Sequence, residues 1–156
     1  MIEELNVLPS EPNSPIMCSH RSHGQCVNLD RERYDRGWEK LKRIHGEEGE
    51  RFIENVKSVA PDLARFIVEF GFGDVYSRPG LDIKTREIVT VAALTALGNA
   101  QPQLKVHIQA ALNVGCSHEE MVEIMTQLAV YAGFPAALNG IGLVKEVFED
   151  VDKKRT

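Results

Sequence analysis

Between Asp82 and Gly98 the chain reads DIKTREIVTVAALTALG, a stretch opened by a residue suited to cap a helix and closed by one suited to end it. Its interior, IVTVAALTAL, is apolar around nearly the whole circumference of a helix, and such a helix must be covered on several sides. In a chain of 156 residues, neighbouring helices supply part of that cover and a second copy of the chain the rest, so an oligomer is predicted. Other helical signals surround this stretch. Tyr34, Trp38 and Leu41 recur at helical spacing after Asp30, and HGEEGE marks a break near Gly46. Phe52, Ile53, Val56 and Val59 form a second stripe, after which Pro61 opens a short helix with Leu63, Phe66, Ile67 and Phe70 on one side, ended by Gly71 and Gly73. Pro102 starts a helix that ends at Gly115, and Ser117 to Glu120 reads as a capping box for one carrying Met121, Ile124, Met125 and Leu128. Gly133-Phe-Pro135 breaks that helix, and a last one runs from about Ala136 to Phe148. No alternating strand pattern of useful length and no internal repeat is present. The prediction is an all-α fold in a single domain over residues 28–150, with an extended or mobile arm over 1–27 and a charged tail over 151–156.

Charge and cysteine usage narrow the function. Eighteen basic residues against 23 acidic ones leave a net charge of −5, so no basic field is available for a nucleic-acid backbone or an anionic membrane. Apolar runs such as Val91–Leu97 fall far short of the roughly 20 residues that cross a bilayer. Three cysteines cannot all pair within one chain, and MIEELNVLPSEP lacks the features of a secretory signal, so a reducing, cytoplasmic setting is expected.

Among residues able to carry chemistry, Glu87 and His107 stand out. They lie on consecutive helices whose short connection, Gly98 to Gln101, folds one back along the other, so the two can meet. Each shares its stripe with apolar residues, Glu87 with Thr90, Val91 and Leu94, His107 with Leu104, Ala110, Ala111 and Val114. A structural hydrogen bond in the core and a catalytic pair are both consistent with that placement. Arg86, about 100° around the helix from Glu87, is a candidate anion ligand, or else an arginine reaching solvent or Asp82. Gln127 and Tyr131, four apart, are candidates to line a pocket with their polar tips, although a Tyr bonded to a backbone carbonyl is as common. In the arm, Cys18, His20, His23 and Cys26 place four potential zinc ligands within nine residues, at a spacing that fits no familiar finger or ribbon; chance clustering is the preferred reading, and no metal is expected. Cys116, alone beside a helix start, is expected to be inert.

From Arg78 to Phe148 the chain resembles the carboxymuconolactone decarboxylases nearly end to end. LDIKTREI, the spacing from Glu87 to His107, HIQAALNVG and QLAVYAGFPAALN carry the resemblance. It is weaker from Leu29 to Tyr76, where FGDVYSRPGL and the helical layout fit, and absent before residue 28. The resemblance implies a helical subunit assembled as a homohexamer or trimer, and a cofactor-free decarboxylation of 4-carboxymuconolactone to the enol-lactone of 3-oxoadipate in aromatic catabolism. It further implies His107 as proton donor, Glu87 as the group that sets its tautomer and raises its pKa, and Arg86 as a bidentate ligand of a substrate carboxylate; Gln127 and Tyr131 remain candidate substrate contacts from their spacing alone. A diverged member acting on another small molecule, and a non-catalytic oligomer that binds a ligand, are alternatives. The related alkylhydroperoxidases share the fold but use a Cys-x-x-Cys pair before the histidine. Here that stretch reads NAQPQLKVH, so thiol peroxidase chemistry lacks its nucleophile.

Overall fold

A computed structural model describes residues 23–155, with side chains described from 31 to 153. The described residues form helices and the turns between them, without a strand: α1 His23–Val59, α2 Pro61–Phe66 running on into a wider helical segment Ile67–Val75, α3 Ile83–Leu97, α4 Gln101–Asn113, α5 His118–Tyr131 and α6 Phe134–Arg155. The all-α expectation is met.

Two apolar cores share α4. One gathers Val91, Leu104, Ile108, Met121, Met125, Val144 and Val147 from α3 to α6. The other joins Leu41, Ile44 and Ile53 of α1 to Ala64, Val68 and Phe72, and takes Ala110 from α4. His107 lies on this helix, between Leu104 and Ile108 of the first core and Ala110 of the second. The expected break near Gly46 is present inside α1, where φ of 59° and ψ of −149° interrupt the helix with a backbone shape open mainly to glycine.

Three elements differ from expectation. The segment after Pro61 does not stop at Gly71 and Gly73. It continues to Val75 with a widened turn, seen in the hydrogen bond from Tyr76 N–H to the Gly71 carbonyl over 2.9 Å. Its inner face is Ala64, Val68 and Phe72, whereas Leu63, Phe66 and Phe70 are exposed. The reason is backbone proximity to α1: a Cβ on Gly73 would stand 2.6 Å from the Arg33 carbonyl, and one on Gly37 would collide with that of Val68. Only small residues fit along this seam, and the large ones turn outward. Arg33 clamps the same seam through a two-point contact with Asp74, 3.2 and 2.5 Å, which holds the Asp74 carboxyl below the usual range.

The last helix also overruns its expected end at Phe148 and absorbs most of the tail, because no glycine or proline stops it and Val151 still packs on the core. At the other end, α1 starts at His23, so residues 23–27 of the expected arm are helical. Cys18 and His20 lie outside the described residues, and His23 and Cys26 fall in the first turns of α1, where side chains are not described.

Candidate active site

The start of α3 is fixed by its cap. Asp82 accepts from the Thr85 N–H over 2.8 Å and from its hydroxyl over 2.9 Å, and this sets the register that turns Glu87 inward. Glu87 is 0% exposed. Gly98, left-handed at φ 72°, ends the helix and lets α4 return alongside it. On α4, Leu104, Ile108 and Ala111 anchor the buried face, and His107 emerges at its edge with 21% of its side chain exposed. The two expected partners meet: Nδ1 of His107 donates to Oε2 of Glu87 over 2.8 Å. Oε1 of Glu87 is buried with no hydrogen-bond partner among the described residues. An ionised carboxylate in such a place is expensive unless it serves the charge of another group.

Two further residues complete the surroundings, and sequence reasoning missed both as site residues. His45, at the end of the first part of α1, stands edge-on to His107 with ring centroids 5.2 Å apart and to Phe72 at 5.6 Å. Burial, and then the neighbouring His107, lower its pKa from 6.5 to about 4, so the ring is neutral near pH 7. Tyr76, delivered by the widened segment, shares a hydrogen bond of 2.9 Å with Thr90, whose hydroxyl also donates to the Arg86 carbonyl over 2.9 Å. Burial, and then the charge of Glu87, push the Tyr76 phenol up to about 12. His45 is 62 positions from His107 and Tyr76 comes from a loop, so no local spacing announces either; the one available signal was HGEEGE, read only as a break.

His45 and His107 share a cavity of about 250 Å³, walled by Leu41, Phe52, Phe72 and Val106. A second, open cavity of about 840 Å³ has Tyr76 in its lining, with the cations Lys40, Arg43, Arg78 and Lys84 and the capping carboxylate Asp82. Of these four, Lys84 is engaged by Glu120 over 2.7 Å. The four cations are scattered over 45 positions of sequence, which is why no charge cluster pointed to them.

The remaining candidates are placed as follows. Arg86 reaches neither solvent alone nor Asp82: Nε donates to the Leu81 carbonyl over 3.2 Å and Nη2 to that of Arg78 over 2.9 Å, with the guanidinium 5.9 Å from the Tyr76 ring centroid. It pins the loop that enters α3. Gln127 and Tyr131 are exposed on α5 and line neither cavity. Cys116 is buried in the core, which raises its thiol pKa and leaves it a poor nucleophile.

This arrangement can move one proton. With Nδ1–H held by Glu87, Nε2 of His107 makes no hydrogen bond among the described residues and is the ring atom left to take or deliver a proton. The wall of the cavity beside His107 is largely apolar, and the cations near Tyr76 supply positive potential for an anionic ligand.

Known proteins share this sequence pattern. The carboxymuconolactone decarboxylase family model matches residues 61–146. A 4-carboxymuconolactone decarboxylase of Acinetobacter baylyi is 37% identical over 123 residues, covering 78% of this chain and 91% of its own length. A nitrosuccinic acid decarboxylase of Metarhizium robertsii is 31% identical over 130 residues, 80% of this chain and 88% of its own length. An uncharacterised 15.0 kDa protein of Paracoccus denitrificans is 30% identical over 100 residues, 64% of this chain and 75% of its own length. The buried glutamate–histidine pair thus lies inside the matched region, and the chain belongs to the carboxymuconolactone decarboxylase family.

Proposed function

We propose that the protein is a carboxy-lyase that removes CO₂ from a small carboxylated lactone of the 4-carboxymuconolactone type, with His107 as proton donor. The observation that carries this reading is the 2.8 Å hydrogen bond between His107 and the fully buried Glu87 at the edge of a cavity. Two relatives named as decarboxylases, acting on a lactone acid and on nitrosuccinic acid, support the reaction class.

In such a substrate the bond to the leaving carboxylate is conjugated through a double bond to the lactone carbonyl. Loss of CO₂ sends the bonding pair into that carbonyl as a dienolate, and the imidazolium of His107 then gives its Nε2 proton to the ring carbon. Glu87 keeps Nδ1–H bonded throughout and stabilises the charged ring before transfer. The electrons need no external sink, so these steps call on no cofactor. Lys40, Arg43 and Arg78, with Arg86 behind Tyr76, provide the field that draws a dianion. Assembly as a trimer or hexamer would place the exposed Gln127 and Tyr131 of α5 against a neighbouring subunit, and the setting is cytoplasmic breakdown of aromatic acids.

The test follows 4-carboxymuconolactone by ultraviolet absorbance with wild type, His107→Ala and Glu87→Gln, each checked for native oligomeric size. Wild type turns the lactone over, and each variant loses about 10²-fold or more in kcat. Full activity in a folded His107→Ala protein removes this histidine from the mechanism; no turnover by wild type removes the substrate.

A further inference from the structure

The proton pair uses only part of the chemistry gathered behind it. His45 on α1, Glu87 on α3 and His107 on α4 each offer one ligating atom, and these atoms all lie within 4.8 Å of one another. Oε2 of Glu87 serves His107, but Oε1 is buried with no hydrogen bond of ordinary geometry among the described residues, the nearby Tyr76 hydroxyl being bonded to Thr90, and the His45 ring, 9% exposed and edge-on to Phe72 and His107, makes no hydrogen bond among them. Among those residues no lysine or arginine bonds to the Glu87 carboxylate, although it is 0% exposed. Proton transfer by His107 accounts for neither the unused oxygen nor the second imidazole. A dication accounts for both.

We propose that His45, Glu87 and His107 form a site for one divalent transition-metal ion of the Zn²⁺ or Co²⁺ kind, bound in competition with the proton shared by Glu87 and His107. Two imidazoles and a carboxylate are the donor set that these borderline ions take, in preference to the all-oxygen sets of Mg²⁺ or Ca²⁺. Zinc bonds of about 2.0–2.2 Å put tetrahedral donors roughly 3.4 Å apart, so side-chain rotations on the order of 1 Å close the set. The cavity shared by the two histidines leaves room for a fourth ligand, water or a substrate oxygen. The ion replaces the Nδ1 proton between Glu87 and His107 or engages Nε2, and either way His107 no longer delivers a proton. Binding itself is independent of the proposed reaction; the inhibition that follows from it rests on that reaction.

The experiment uses the full chain, stripped with a chelator, titrated with Co²⁺ by visible absorption and with Zn²⁺ by calorimetry. One ion per chain is expected, with the intense d–d bands of four-coordinate cobalt. His45→Gln and His107→Gln, each checked for native helicity and size, weaken binding at least about 10-fold, the smallest loss expected when a metal's surroundings are cut. A Cys18→Ser/Cys26→Ser double variant retains it. Absence of binding, or binding lost in the cysteine variant and kept in His45→Gln, overturns the site. In parallel, Zn²⁺ suppresses turnover of 4-carboxymuconolactone and chelator restores it; activation by Zn²⁺ overturns the competition. Turnover without metal binding sinks the metal site alone, and metal binding without turnover sinks the decarboxylase reading alone.

Discussion

Glu87 is a costly side chain to bury, a carboxyl group with no exposure and, among the described residues, only one of its oxygens hydrogen-bonded. Such a group survives where its charge is used, and the neighbouring Tyr76 records that charge in its own ionisation. The phenol is pushed from 10.0 up to about 12 by burial and then by Glu87, so it remains protonated at any working pH and acts as a hydrogen-bonding group, not as a base. Between pH 10 and 12 the unfolded chain releases a proton that the folded chain keeps. Stability therefore falls with rising pH across that window. In Tyr76→Phe this alkaline fall is smaller by the share that Tyr76 contributes, which urea denaturation at about pH 8 and at higher pH measures. The same variant costs about 1 kcal/mol at neutral pH through the lost bond to Thr90, and its activity profile keeps the wild-type shape below about pH 9, since the phenol does not titrate there. An alkaline limb of activity that vanishes in Tyr76→Phe would make the phenol a proton carrier.

At the scale of elements, local signals and long-range contacts divide what could be read from sequence. Caps are local. Asp82 before α3 and Ser117 before α5 were legible because a short oxygen-bearing side chain followed by an apolar run has few other uses, and both accept the hydrogen bonds expected of them. Ser117 accepts from Glu120 N–H over 3.2 Å, and Ser117→Ala is expected to cost about 1 kcal/mol, read as a lower denaturation midpoint with unchanged activity. The meeting of Glu87 with His107 was legible for a related reason: one short turn joins their helices. His45 was not, since α1 reaches α4 only through tertiary packing. Nor was the direction of the segment after Pro61, where the apolar stripe Leu63, Phe66 and Phe70 suggested a core face. Its true face is decided by Gly37 and Gly73, whose role is visible only once the two backbones touch. Gly37→Ala forces that seam apart and is expected to destabilise by about 1–3 kcal/mol, as overpacking does. Because the seam positions Phe72 and Tyr76, the same variant loses activity even at temperatures where it stays folded; wild-type stability in Gly37→Ala would show that the seam has slack.

For the whole molecule, the apolar circumference of α3 remains the ruling constraint. Within one chain only Glu87, Val91 and Thr95 of α3 are buried, and Val89 and Leu97 stay exposed. Val130, Tyr131, Phe134 and Leu138, where α5 meets α6, are exposed as well, each by more than 65%. A single subunit therefore leaves apolar side chains uncovered on two regions whose sequence pattern asks for burial, and water penalises each at about 25 cal/mol per Å². A second copy of the chain would supply that cover, in line with the expectation from the sequence. In solution the wild-type chain is expected to run as a multiple of 17.4 kDa by light scattering. Leu97→Glu and Leu138→Glu, which put a charge on each region without touching the buried cores, are expected to shift that mass toward the monomer. If the neighbouring subunit also closes the cavity beside His107, turnover falls in step with dissociation as the protein is diluted. A monomer that retains full turnover would mean that one chain holds the whole site, and a wild-type protein that is monomeric at every concentration would mean that α3 tolerates water on a face its sequence marks for burial.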